Sequence, residues 1–217
     1  MAYKKKIKIL FNILLTKRRE TRMMQMLNEH AHKNRREAGV MPKIINNLEE
    51  NILSAARRLV AEQGYAAVTM RAIAKECGIA VGTFYNYYPS KDAMLAACLL
   101  HDWQTALASA GERTAAAQSA EEAVGAVFDA VRAFQEQNRS IFSDEGARSS
   151  AAGALQSRHA QLRAQIAALL EAPCRRFSDA PDAAFLAEFA AESILSWSGT
   201  DISFPQLWTL LKRLFIK

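Results

Sequence analysis

MRAIAKECGIAVGTF, residues 70–84, is the stretch on which the fold of this chain turns. Two short helices joined by a tight turn, with a small residue on the inner face of the first and Gly at the turn, are what a helix-turn-helix requires. Thr69 is placed to cap the first helix, which Gly78 ends after barely two turns. Ala74 is small enough to let the second helix cross close by, and Gly78 can take the positive φ of the turn. Ile73, Cys77, Ile79 and Phe84 are expected to point inward and hold the pair against a preceding helix. The second helix runs from about Val81 to Tyr87, and Pro89 blocks its continuation.

Working outward, the pattern is helical almost without interruption from Asn47, and no alternation long enough for a strand occurs, so the expectation is all-α. A helix over about Leu48–Gln63 carries Ile52, Ala55, Ala56, Leu59 and Val60 on one face. Gly64 supplies its left-handed stop, and Tyr65 packs just beyond. Ser90 caps a longer helix through about Ser109, followed by a loosely specified Ala, Gly and Gln stretch near 110–118. Ser119 and Glu122 form a capping box for a helix with Val124, Val127, Phe128, Val131 and Phe134 at helical spacing. A short element is expected at about Ser140–Ser150. A helix with Leu155, Leu162, Ile166, Leu169 and Leu170 follows, which Pro173 ends. Two apolar helices close the chain, at about 181–198 and 205–216, each with Pro near its first turn.

Charge is informative once it is located. Residues 1–40 hold eleven Lys or Arg against three Glu (+8), residues 41–98 hold six against five acids (+1), and residues 99–217 hold eleven against fourteen (−3). The basic excess therefore lies in KKKIKILFNILLTKRRE and its surroundings. Its apolar run, Ile7 to Leu15, is too short to span a bilayer and has no small-residue cleavage site after it. A basic amphipathic helix on a membrane or on DNA is one reading of this segment. An appendage outside the folded unit is the other, with Met41-Pro42-Lys43 as a natural start. Cys77, Cys98 and Cys174 lie far apart with no CxxC pair, and the four histidines have no metal-ligand spacing, so a reducing cytoplasm and no metal or other cofactor are expected. No GxSxG, P-loop, dinucleotide fingerprint or nucleophile and base pairing gives catalysis a footing.

ILSAARRLVAEQGYAAVTMRAIAKECGIAVGTFYNYYPSKDAM, including its GTFYNYY-x-x-K ending, resembles the N-terminal DNA-binding domain of the TetR family of bacterial transcription regulators. The likeness covers residues 45 to about 100. It implies three domains of sequence: a basic extension (1–44), a three-helix DNA-binding domain (45–105) and a helical effector-binding and dimerisation domain (106–217). It also implies a homodimer that binds a palindromic double-stranded operator, acts as a repressor and is released by a small-molecule effector. A single short helix reads only a few base pairs, and a two-fold dimer with half-sites about 34 Å apart supplies the missing specificity. A near-neutral domain (+1) argues against the alternative of a non-specific architectural binder, whose affinity comes from many phosphate contacts.

Carried over by position, the resemblance assigns DNA contact to Thr69, Arg71, Val81, Gly82, Thr83, Tyr85, Asn86, Tyr87 and Lys91. Arg71 can donate two bonds to guanine, and Val81 and Thr83 can touch a thymine methyl. The hydroxyls of Tyr85 and Tyr87 reach phosphates and fix orientation, while Lys91 adds charge beside N–H groups that favour phosphate. Phe84 and Tyr88 are read as core. For an effector pocket, Trp103, Phe128, Phe134, Phe142 and Trp197 are candidate apolar walls, and His101, Arg132, Arg139 and His159 candidate polar anchors. The alanines Ala183, Ala184, Ala187, Ala190 and Ala191 admit close approach by another helix. That helix belongs either to the intrachain core or to a four-helix dimer interface formed by the last two helices of each subunit.

Overall fold

The computed structural model describes residues 47–143 and 159–215. The extension 1–44, Leu155, Ile216 and positions 144–150 of the expected short element lie outside the described residues. By contact the chain divides into Met1–Asn51 and Ile52–Lys217.

Nine α-helices and no strand are present among the described residues: α1 Leu48–Gln63, α2 Met70–Glu76, α3 Val81–Tyr87, α4 Lys91–Ala116, α5 Ala120–Gln137, α6 Arg139–Ser143, α7 His159–Phe177, α8 Ala183–Trp197 and α9 Phe204–Leu211. A 3₁₀ turn, Lys212–Leu214, extends α9. None of the described helices is long and apolar enough to cross a membrane.

Local chemistry sets the ends of these helices. Thr69 Oγ1 accepts from Ala72 N at 3.1 Å, Ser90 Oγ from Ala93 N at 3.1 Å, and Ser119 Oγ from Glu122 N at 3.1 Å. Glu122 returns its carboxylate to the N–H of Gln118 (2.7 Å), one residue before the cap. At the end of α2, Ile79 N donates to Ala74 O (2.9 Å) and Gly78 N to Lys75 O (3.1 Å), with Gly78 at φ 65°. This pair of bonds is the Schellman arrangement, which needs a residue at ease in the left-handed region.

Two helices run further than the sequence predicts. α4 continues through the Ala, Gly and Gln stretch to Ala116, because Ala110 (1% exposed) and Thr114 are buried there and Thr114 Oγ1 donates back to Ala110 O at 2.5 Å. Packing thus overrides the weak local signal. The domain boundary expected near residue 105 falls inside this one helix. α7 likewise passes through Pro173 to Phe177. Proline removes one intrahelical bond, but Leu170, Pro173 and Cys174 are all buried, so both sides of the break are held by the core.

α4 lies along α5 and α7 along α8, with α7 also touching α4 and α5. Their shared core is built from Val124, Val127 and Phe128 of α5, Ile166 and Leu170 of α7, and Ala187, Ala190, Ala191 and Ile194 of α8. The head formed by α1, α2 and α3 has its own centre in Ile52, Ala56, Val60, Ile73, Ala74 and Phe84, joined by Met94 and Leu95 from α4. Cys77 and Ile79, expected in that centre, are only half-buried, since they sit at the turn itself.

The side chain of Asp102 on α4 is 2% exposed and faces Arg57 of α1, which donates through Nε to Oδ2 at 3.0 Å and approaches Oδ1 with a terminal nitrogen at 2.5 Å. His101 Nδ1 lies 3.1 Å from the same guanidinium. Removing one partner of so desolvated a pair leaves the other charge uncompensated. Asp102→Ala is expected to lower the free energy of unfolding by about 2–4 kcal/mol, whereas Glu112→Ala, on the exposed face of the same helix, changes it by less than about 0.5 kcal/mol. Urea denaturation of the three proteins measures both.

Candidate functional site

The helix-turn-helix presents its polar and small residues outward. Arg71 and Gly82 are exposed, as are Thr69, Tyr85 (52%) and Asn86, while Val81, Thr83 and Tyr87 are half-buried. Gly82 has open space where a Cβ would stand. Its small size serves nothing inside the domain and leaves the outer surface of α3 low. Phe84 (0% exposed) anchors α3 from beneath, with Tyr85 edge-on at 6.3 Å between ring centroids and Tyr88 tilted at 5.9 Å. Tyr88 is buried and Tyr87 lies 6.5 Å from it. The residues predicted for DNA contact from Thr69 through Tyr87 thus occupy the N-cap and first turn of α2 and the length of α3, and the predicted core pair, Phe84 and Tyr88, is core.

Lys91 takes a different place from the one expected. Its ammonium donates to the carbonyls of Val68 (2.9 Å), Ala66 (3.4 Å) and Tyr65, and stands 4.0 Å from the centroid of the Tyr65 ring. An ammonium has three hydrogens, and three carbonyls accept here. Tyr65 in turn donates its hydroxyl to Asp92. The first turn of α4 therefore grips the loop between α1 and α2 through Lys91 and Asp92. On the outer side, Arg58 of α1 bridges Glu76 of α2 and Glu62 of its own helix, and these two carboxylates raise its pKa further.

A second feature is a cavity of about 590 Å³ among the helices that follow the head. Of the residues put forward as pocket candidates, Trp103, Phe134, Phe142, Arg132, Arg139 and His159 line it. Trp103 and Phe134 meet edge-on at 5.3 Å, and Phe134 and Phe142 at 6.0 Å. Three candidates fall elsewhere. Phe128 is 1% exposed and packs on Phe204 at 5.5 Å, His101 belongs to the Arg57–Asp102 cluster, and Trp197 is exposed on α8. Val131, Gln135, Glu136, Leu162 and Leu195 from the helices and Ser198, Gly199, Thr200 and Asp201 after α8 complete the lining. No spacing in the sequence marks the last four, because they reach the cavity only through tertiary packing.

Burial pushes the thiol of Cys98 up to about 12 and that of Cys174 up to about 11, so neither is a nucleophile near neutral pH.

Residues 52–98 match the family model described as bacterial regulatory proteins, tetR family. Among curated relatives, the HTH-type transcriptional regulator UidR of Escherichia coli strain K12 is 44% identical over 57 residues, which are 26% of this chain and 29% of UidR. The alignment thus spans less than a third of that relative. Among solved structures, a TetR-family transcriptional regulator from Streptomyces coelicolor superposes with a TM-score of 0.53 at 20% identity, covering 77% of this chain and 99% of that one. FadR from Bacillus subtilis, solved in complex with stearoyl-CoA, superposes with a TM-score of 0.51 at 17% identity, covering 76% and 97%. Those likenesses extend the shared fold well beyond the matched head.

Lys91→Met keeps the aliphatic stem and deletes the donors. It is expected to cost about 1–3 kcal/mol of stability by urea denaturation, because the ammonium bonds three carbonyls of the loop between α1 and α2.

Proposed function

We propose, from the premise that residues 52–98 are a helix-turn-helix domain of the TetR family, that the protein is a cytoplasmic, dimeric transcriptional repressor released from a palindromic operator by a small molecule. In this reading residues 45–105 form the DNA-binding head and 106–217 the effector-binding and dimerisation part, with α4 continuous across the boundary. The observation that carries it is the exposure of Arg71, Gly82 and Asn86 on a head whose Tyr65, Phe84 and Tyr88 rings are buried.

The N-terminal half of α3 enters the major groove. Gly82 lets the backbone approach, Thr83 and Val81 meet base methyl groups, and Arg71 reaches a guanine from α2. Tyr85, Tyr87 and Thr69 hold phosphates and set the register. With little net charge on the head, preference rests on these contacts and on DNA shape more than on bulk attraction.

Support for the dimer comes from α8 and α9. The small side chains Ala187, Ala190 and Ala191 are buried within the chain, whereas Phe185 (69%), Phe189 (48%), Trp197 (46%), Leu210 (70%) and Leu214 (45%) are exposed. Phe185, Phe189 and Trp197 recur at multiples of four along one side of α8. So much apolar surface on two neighbouring segments marks an interaction site, and a two-fold copy of itself satisfies it.

Release follows the path of α4. Trp103 lines the cavity and its neighbour Asp102 holds Arg57 of α1, so an occupant that displaces Trp103 acts on the helix that grips the head. Both groups sit in one helical turn, which leaves little slack between them.

Selection of bound duplexes from a random library is expected to return an inverted repeat with half-site centres about 34 Å apart. Within it, Arg71→Ala relaxes preference at one base pair per half-site, while Tyr87→Ala weakens all sequences alike; equal losses across the library for both variants would reject this division of labour. Phe189→Glu with Leu210→Glu is expected to give monomers by analytical ultracentrifugation and to weaken operator binding roughly a hundredfold, as loss of bivalency requires.

A further inference from the structure

One side chain links the two flanks of the helix-turn-helix. Lys91 opens α4, four residues after α3 ends at Tyr87. Its ammonium crosses back to the loop before α2, where it donates to Val68 O at 2.9 Å, to Ala66 O at 3.4 Å and to Tyr65 O. Val68 is 1% exposed and directly precedes Thr69, the N-cap of α2. The bond from Lys91 to Val68 therefore closes a ring of chain, residues 68–91, that contains α2, the Gly78 turn and α3. Gly78 sets the joint in the middle of that ring, and Lys91 fastens its ends.

The chemistry of the clasp is specific to an ammonium. Three hydrogens diverge from one nitrogen, and three carbonyls accept here. The Tyr65 ring covers a further side, its centroid 4.0 Å from Nζ, and the Tyr65 hydroxyl donates to Asp92, the next residue of α4. Tyr65 is 6% exposed, so this second strand of the clasp lies inside the head. A phosphate could gain Lys91 only by taking it from these carbonyls, and the carbonyl of buried Val68 would then lose its donor.

We propose that Lys91 is a positioning residue for DNA recognition, one that keeps the ring closed so that Arg71 on α2 and Thr83 and Asn86 on α3 meet the duplex as a preset unit. It acts through the backbone and touches no phosphate itself. Arg71 stands three residues after Val68, in the first turn of α2, so a shift of the Val68 carbonyl reaches it directly. The benefit is preorganisation: a head that is open part of the time binds in proportion to the fraction that stays closed. The assignment rests on reading the head as a DNA-binding domain, and it adds what holds the two reading helices to each other.

A phosphate contact and a clasp respond differently to substitution. Contact with phosphate needs a cation, which Lys91→Arg keeps. The clasp needs three donors diverging from one nitrogen, which a planar guanidinium does not supply. Lys91→Met and Lys91→Arg in the full chain are therefore compared with the unaltered protein in two ways. Binding of the selected operator and of an unrelated duplex is titrated across a salt series, and amide hydrogen exchange is followed without DNA.

Both variants are expected to bind the operator roughly tenfold more weakly, as a head closed about a tenth of the time would. In Lys91→Met the slope of log affinity against log salt stays unchanged, and binding to the unrelated duplex, which needs no preset geometry, holds. Amides of α2 and α3 exchange several-fold faster in both variants while those of α5 and α8 keep their rates. A slope lowered by about one per head in Lys91→Met, or operator affinity restored in Lys91→Arg, makes Lys91 a phosphate contact and overturns the proposal. Unchanged operator affinity in both variants, or weaker operator binding with unaltered exchange, overturns it too. If Lys91→Met does not fold, Lys91→Arg carries the affinity and exchange measurements. An unaltered protein with no preferred duplex sinks the regulator reading, and amide exchange then judges the clasp by itself.

Discussion

The pair formed by Asp102 and Arg57 is the constraint on which the rest of the arrangement depends. An aspartate with 2% of its side chain exposed is tolerable only against a partner that meets both oxygens, and Arg57 does so from a different helix. That requirement ties α1, the first helix of the head, to the middle of α4. The beginning of α4 is tied to the same head by Lys91 on the carbonyls of residues 65–68. Between these two attachments α4 cannot shift without carrying the head with it. Beyond them it continues for more than three turns into the second helical layer, where Trp103 meets the cavity and Ala110 meets the core.

α8 shows how the same helix divides its apolar residues between a buried side and an exposed one. Small side chains on one side let α7 approach closely, and Ala187, Ala190 and Ala191 are almost wholly covered by it and its neighbours. Large ones on the other side stay in solvent. A monomer optimised for itself would reverse this, since burying a phenylalanine removes far more apolar area from water than burying an alanine.

Much of the head was legible before any coordinates. Thr69, Ser90 and Ser119 cap helices, Gly64 and Gly78 take positive φ, and Phe84 is the buried anchor of α3, because each of these depends on chemistry within a few residues along the chain. The aromatic candidates Trp103, Phe134 and Phe142 were legible as a class, since apolar side chains at helical spacing must face something. Phe128 shows the limit of that logic. Its spacing is the same, yet it faces Phe204 and the core rather than the cavity.

What the sequence by itself determined is the helix-turn-helix and the all-helical character of the chain, because capping, turn geometry and helical period are local properties. Only the tertiary structure decided that α4 runs unbroken to Ala116, that α7 survives Pro173, that Lys91 bonds the carbonyls of a distant loop, and that Gln135 and Ser198 line the same cavity. The reason is common to all four. Each outcome is set by partners distant in sequence, whose burial outweighs a local preference worth about 1–3 kcal/mol, and local pattern carries no record of which distant partner wins.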